Sequence, residues 1–125
     1  MSLETFFEEA NGSWKINPLN RYEYFVGMAV MTISSCPGHS YRVQLDYIKS
    51  LEQGKGHASG ALRELCKLAD KHEVEIELCV HPLPWHSLNT KLAFNKAKLR
   101  SWYSRHNFVA TSQRYMVRKP TCLVS

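Results

Sequence analysis

No run of about eighteen apolar residues occurs in the 125-residue chain, and the N-terminus lacks the basic stretch and apolar core of a secretory signal. The expectation is a cytoplasmic chain with no membrane contact. Its four cysteines are badly spaced for chemistry. Cys36, Cys66, Cys79 and Cys122 form no Cys-x-x-Cys pair and fall mostly within apolar segments, as reduced core thiols do. His81 and His86 share a proline-broken loop, but no carboxylate or thiol stands at ligand spacing from them, so no metal site is expected. Internal repeats and low-complexity tracts are absent. So is any acidic surplus: the net charge of +5 favours anionic partners, whether a phosphorylated cofactor, an acidic substrate or nucleic acid, without choosing among them. With 44% hydrophobic and 22% charged residues, residues 1–125 suit one domain with a real core.

What is present reads in order along the chain. Residues 3–10 have helical composition, and Asn11-Gly12-Ser13 reads as the stop. Residues 22–34 form a nearly continuous apolar run rich in β-formers, which predicts one buried central strand. Cys36-Pro37-Gly38-His39-Ser40 is a turn by composition, so the strand over 41–49 should return as a hairpin partner. In that strand Val43, Leu45 and Tyr47 share one face, and Arg42, Gln44 and Asp46 the other, unless a bulge changes the count. Ala61, Leu62, Leu65, Cys66, Leu68 and Ala69 recur at helical spacing within 59–72. Residues 74–80 alternate as a strand, which the crossover helix forces to lie parallel to 41–49. A helical pattern over 88–106, a strand opening at 107–109 and a last strand at 115–117 complete an α+β chain.

Between strand and helix lies Gln53-Gly54-Lys55-Gly56-His57-Ala58. Glycines let a backbone approach a ligand closely, and the helix start behind them adds unsatisfied N–H groups and the positive end of its dipole. That combination suits a pyrophosphate, with Lys55 and His57 as charge partners. The hexapeptide reads Gln-x-x-Gly-x-Ala, and further on Tyr103 and Phe108 bracket a Tyr-x-x-x-Asn-Phe pattern at the end of the last helix. On these two motifs, residues 22–117 resemble the GCN5-related N-acetyltransferase (GNAT) family, whose acetyl-CoA loop is Gln/Arg-x-x-Gly-x-Gly/Ala. In that family a glycine stands where this chain has Asn107, the non-glycine residue that best tolerates a left-handed backbone.

The resemblance implies a mixed, largely antiparallel sheet with one βαβ unit, flanked by helices and splayed between the two parallel strands, with acetyl-CoA in the opening. Its pantetheine arm would pair with backbone near Tyr47, Ile48 and Lys49, and its pyrophosphate would sit on Gln53, Gly54, Lys55, Gly56, His57 and Ala58. Tyr103 would protonate the departing thiolate. The positions where the family often places its base hold Arg42 and Gln44, so that role falls to Asp46, with Glu52 and His39 as other candidates. A cofactor-binding asparagine seven residues before the tyrosine is displaced to Asn95. The implied activity is acetyl transfer from acetyl-CoA to a primary amine on an unidentified acceptor, small molecule or protein; a homodimer is compatible with such a domain.

Three other readings compete. Gly54-x-Gly56-x-x-x-Gly60 with Glu75 resembles a dinucleotide fingerprint, but its spacing fails by one residue and the chain is too short for two mononucleotide halves. Lys91, Lys96, Lys98, Arg100 and Arg105 near Trp102 and Tyr103 could form a basic nucleic-acid module, the less favoured partner class because cationic helix faces are usually just solvated. An acyl-CoA-binding interaction domain without catalysis is the third, suggested by the missing base.

Overall fold

The computed structural model describes residues 3–51, 56–80 and 96–120. Its elements run α1 (Leu3–Ser13), β1 (Lys15–Asn17), β2 (Asn20–Val26), β3 (Ala29–Ser35), β4 (Arg42–Ser50), α2 (His57–Lys71), β5 (Glu75–Cys79), α3 (Lys96–Ser104), β6 (Val109–Ala110) and β7 (Tyr115–Arg118). The strands form one seven-stranded sheet in the order β1-β2-β3-β4-β5-β7-β6. Only β4 and β5 pair in parallel; every other neighbouring pair is antiparallel. This is the expected α+β architecture with its single βαβ unit.

Three local expectations need correction. Residues 22–34 are not one strand. They are the second half of β2, a two-residue turn and β3, with Val26 opposite Ala29 and Gly27 at φ +60. A glycine at positive φ in the first turn position matches the right-handed twist of a hairpin, and its apolar flanks hid it. The helix expected to stop at Asn11 runs on to Ser13 because tertiary contacts hold it. The Asn11 side chain accepts the Tyr24 hydroxyl at 2.7 Å, and the Trp14 N–H donates to the Ala10 carbonyl at 2.9 Å. The short β1, cut by Pro18, left no periodicity to read.

A bulge in β4 changes its facing. Thr32 pairs with Tyr47 and Ile33 with Leu45, so Asp46 is an extra residue opposite that step. Val43 and Leu45 point into the core as expected, but the inward place after the bulge belongs to Ile48 instead of Tyr47. A bulge bends its strand and raises its twist. Here the bend coincides with the end of the parallel ladder: β4 and β5 pair from Arg42–Glu75 to Leu45–Leu78, and β4 then continues to Ser50 without β5.

One face of the sheet is covered by α2, whose buried stripe of Ala61, Leu62, Leu65, Cys66, Leu68 and Ala69 packs on β3 and β4, with α1 beside it. Both described helix ends that follow use the same stop. After α2, Val74 N–H bonds the Ala69 carbonyl and Glu73 N–H the Asp70 carbonyl, with Glu73 at φ +55. After α3, Phe108 N–H bonds Tyr103 and Asn107 N–H bonds Ser104, with Asn107 at φ +72. These are Schellman motifs. Arg118 ties the two helices together from β7. Its guanidinium donates to both Asp70 oxygens at 2.7 and 3.0 Å and to the His106 carbonyl at 2.9 Å, and it is 4% exposed.

Two stability predictions follow from these ends. Arg118→Ala should lower unfolding free energy by about 3–5 kcal/mol in urea titrations, because it strips a half-buried carboxylate of its counter-ion; a loss below about 1 kcal/mol would mean that Asp70 is satisfied without it. Glu73→Gly should raise stability by about 1 kcal/mol, the strain of a non-glycine residue in the left-handed region.

Candidate functional site

The described part of the expected cofactor site is residues 46–50, which follow the last β4–β5 pair at Leu45–Leu78, and the start of α2. On β4, Asp46 is exposed and accepts the Ser34 hydroxyl at 3.1 Å. Tyr47 is half-buried with the Lys49 ammonium 5.8 Å from its ring centre, and Ile48 is in the core. Beyond Ser50, Leu51 N–H donates to the Met28 carbonyl at 2.8 Å, which pins the strand end to the β2–β3 turn. α2 begins from Gly56, left-handed at φ 73 and ψ 15, with no side-chain cap hydrogen bond. The first turn, His57 to Gly60, is half-buried. Of the expected cofactor loop, Gln53, Gly54 and Lys55 lie outside the described residues, as do Glu52, Asn95, His81, His86, Lys91, Cys122 and the side chain of Lys96. A Cβ on Gly56 would meet nothing within 4 Å. The glycine is therefore required by its backbone angle and not by lack of room.

Tyr103 is 8% exposed, its ring 4.9 Å from Trp102 and 5.5 Å from Phe108 between centroids. Trp102 Nε1 donates to Ser59 Oγ at 2.8 Å, fixing α3 to the first turn of α2. Burial pushes the Tyr103 phenol up to about 12. No hydrogen bond or ion pair joins Asp46 to Tyr103 among the described residues.

The open face of β4 and β5 carries a cluster that the sequence did not reveal. Arg42 Nε and Nη2 donate to one Glu75 oxygen at 2.9 and 2.7 Å, and Nη1 donates to Glu77 at 3.2 Å. The buried Cys36 thiol donates to the other Glu77 oxygen at 3.4 Å. Burial works against the Arg42 charge, but the Glu75 hydrogen bond and the two carboxylates outweigh it and raise its pKa. For Cys36, burial first and Glu77 second push the thiol up, away from nucleophilic use. The available signal was the parallel register that sets Arg42 opposite Glu75 and Gln44 opposite Glu77. Among the described residues no group of three or more His, Cys, Asp or Glu could hold a metal ion, and no helix is long and apolar enough to cross a membrane. Of the basic residues near Trp102, Arg100 donates to the Ser112 and Gln113 carbonyls of the β6–β7 turn.

No family model matches the chain, and no curated protein matches it. Among solved structures it is similar to the crystal structure of the anti-CRISPR protein AcrVA5, at a TM-score of 0.58 and 14% identity, covering 76% of this chain and 94% of that one. At this identity the likeness shows the fold alone. Membership of the GNAT family, expected from two motifs, is corrected accordingly: the solved fold that matches is that of an anti-CRISPR protein, and no family model supports the assignment. The Tyr103–Phe108 spacing has a sufficient cause in the fold. In a Schellman stop the third residue from the helix end contacts the second residue beyond it, and these are Tyr103 and Phe108.

The buried phenol gives a pH prediction. An unfolded tyrosine ionises near 10 and Tyr103 near 12, so its contribution is complete below pH 10 and falls away as pH rises toward 12. The wild-type chain should lose about 2–3 kcal/mol across that window, an alkaline loss that Tyr103→Phe reduces by that amount in pH-dependent urea unfolding.

Proposed function

We propose that this chain binds acetyl-CoA in the opening between β4 and β5 and transfers its acetyl group to the primary amine of a small-molecule or protein acceptor. The observation that supports this most directly is the coincidence of the Asp46 bulge, the end of the β4–β5 ladder and a helix start at an uncapped left-handed glycine. Backbone groups of residues 47–49, freed from β5, suit the amides of a pantetheine arm. The first turn of α2, led by His57 and Ala58 and preceded by Gln53, Gly54, Lys55 and Gly56, suits a pyrophosphate. Bound acetyl-CoA supplies an activated thioester; the acceptor nitrogen attacks its carbonyl carbon and the C–S bond breaks.

The acceptor must lose a proton to attack, and in this reading Asp46, exposed at the bulge, takes it directly or through water. Arg42 cannot serve, being locked between Glu75 and Glu77. Tyr103 is the proton donor to the leaving sulfur in this reading, but its phenol near 12 is a weaker acid than a thiol near 8.5. Full transfer from phenol to thiolate is uphill, so Tyr103 acts chiefly by hydrogen bonding while solvent completes the protonation. The same weakness favours a second reading, an acyl-CoA-binding interaction domain without turnover.

A thermal-shift comparison of acetyl-CoA, CoA and NAD, followed by an amine panel read by thiol release, separates these readings, since a ligand of the native state stabilises by mass action. Acetyl-CoA and CoA should raise Tm and NAD should not; stabilisation by NAD alone would overturn the proposal, and binding without thiol release would leave the silent domain. If turnover is found, Tyr103→Phe should keep acetyl-CoA affinity and lower kcat by roughly 10²-fold at most. The wild-type rate should show no fall near pH 10, because the phenol stays protonated there.

A further inference from the structure

The seam between α1 and the end of α2 brings together three groups that the acetyl-CoA reading does not use. Thr5 and Glu9 stand one turn apart on one face of α1, and His72 caps α2, 67 residues along the chain from Thr5. His72 Nδ1 lies 3.1 Å from the Thr5 hydroxyl oxygen, and Nε2 lies 2.9 Å from a Glu9 oxygen. The ring is held from several sides. The His72 backbone N–H donates to the Leu68 carbonyl at 3.2 Å, the left-handed Glu73 ends the helix behind it, and buried Phe6 meets the ring edge-on at 6.3 Å. A carboxylate only accepts, so in the neutral ring the hydrogen sits on Nε2 and the bare Nδ1 accepts the Thr5 O–H. Lys71 also donates to Glu9, at 2.9 and 3.0 Å, and together with His72 it holds that carboxyl below its usual range. Glu9 therefore stays ionised and orients the ring without taking its proton.

We infer that Thr5, His72 and Glu9 form a catalytic centre separate from the acetyl-CoA site, in which the Thr5 hydroxyl is a nucleophile toward small esters with a good leaving group. A hydroxyl within reach of a base that a third group orients is the arrangement that activates an otherwise weak nucleophile. Thr5 is exposed, so an ester can reach it, whereas the His72 side chain is only 14% exposed. Thr5 is also the third residue of α1, where backbone N–H groups have no carbonyl partner within the helix and Cβ leans toward the same end, as a developing oxyanion requires. One turn further along the seam, Glu9, Ser13, Trp14, Leu68 and Lys71 line a cleft of about 150 Å³, room for a short acyl chain. Thr5 Oγ attacks the ester carbonyl carbon, its proton passes to His72 Nδ1, and the bond to the leaving group breaks. His72 hands the proton to the leaving group or to solvent, and acyl-Thr5 remains. Water then attacks the acyl carbonyl and gives a proton to His72, which returns it to Thr5 Oγ as the free acid departs.

The test treats the full chain with p-nitrophenyl acetate, follows nitrophenolate release, quenches in acid within the first turnover and maps the acetyl group by peptide mass spectrometry. Hydroxylamine separates the two kinds of adduct, since it cleaves an ester on Thr5 and spares an amide on a lysine. The wild-type chain should carry a hydroxylamine-labile acetyl group on Thr5. Thr5→Val keeps the branched shape and should lose that label, while Thr5→Ser keeps the hydroxyl and should retain it. His72→Gln and Glu9→Gln should each slow acylation by roughly 10²-fold or more, with circular dichroism and urea unfolding checking that both remain folded. A wild-type Thr5 without a labile acetyl group, or acylation at the wild-type rate in either folded variant, would overturn the centre. None of these measurements involves CoA, so the acetyl-CoA reading stands or fails apart from them.

Discussion

The Arg118 guanidinium holds three elements of the chain in one arrangement. It leaves β7, reaches a carboxylate in the last turn of α2, and also takes the free carbonyl at the end of α3. Desolvation opposes its charge, but the Asp70 hydrogen bonds more than compensate and keep it protonated. A buried ion pair of this kind adds little net stability over a well-packed apolar substitute; what it supplies is register. An apolar contact could slide by a residue, whereas a bidentate fork plus one carbonyl bond fits only one placement of β7 against both helices. Trp102 and Tyr103 on α3, and His106 just past its end, are set by that placement, and the Trp102–Ser59 bond extends the constraint to the first turn of α2.

The end of the parallel ladder at the sheet centre has a different origin. A parallel pair can continue only while both strands keep the same twist. The extra residue at Asp46 raises the twist of β4 at the step where the ladder with β5 ends. β5 turns instead to β7, matching Cys79 with Tyr115 and Ile76 with Arg118, so its other edge stays satisfied while β4 departs. The Leu51–Met28 bond anchors the end of β4, and α2 then starts close behind it. The same one-residue insertion therefore sets which β4 side chains enter the core and coincides with the end of the ladder to β5.

Much of the fold was legible because its signals are local and repetitive. The α2 stripe, the β5 alternation and the Cys36–Ser40 turn each rest on spacing that survives folding unchanged. The β2–β3 hairpin was hidden because Gly27 sits inside an apolar run, where β-propensity outweighs a single glycine. The α1 end moved because Tyr24, thirteen residues away in sequence, satisfies Asn11. The bulge was invisible for a deeper reason: it depends on the partner strand, and period-2 reading assumes that strands have no insertions. Of the candidate site, Arg42, Glu75 and Glu77 could be seen as charges but not as a cluster, since only the parallel register brings them together.

The Tyr103–Phe108 pattern shows how a motif can be legible and still mislead about chemistry. A helix that must stop before a strand needs a left-handed residue, and Asn107 supplies it. The Schellman geometry then brings the side chains at Tyr103 and Phe108 together, and burial of both rings rewards aromatic residues at those positions whatever the protein does. The spacing is thus fixed by backbone hydrogen bonding before any reaction is considered. Burial deep enough to make Tyr103 a good packing residue also raises its phenol to about 12, which makes it a poor acid at neutral pH. Packing and proton donation pull the same hydroxyl in opposite directions. A catalytic role for Tyr103 therefore has to rest on a ligand that brings its sulfur within hydrogen-bond reach, and not on the motif that first drew attention to it.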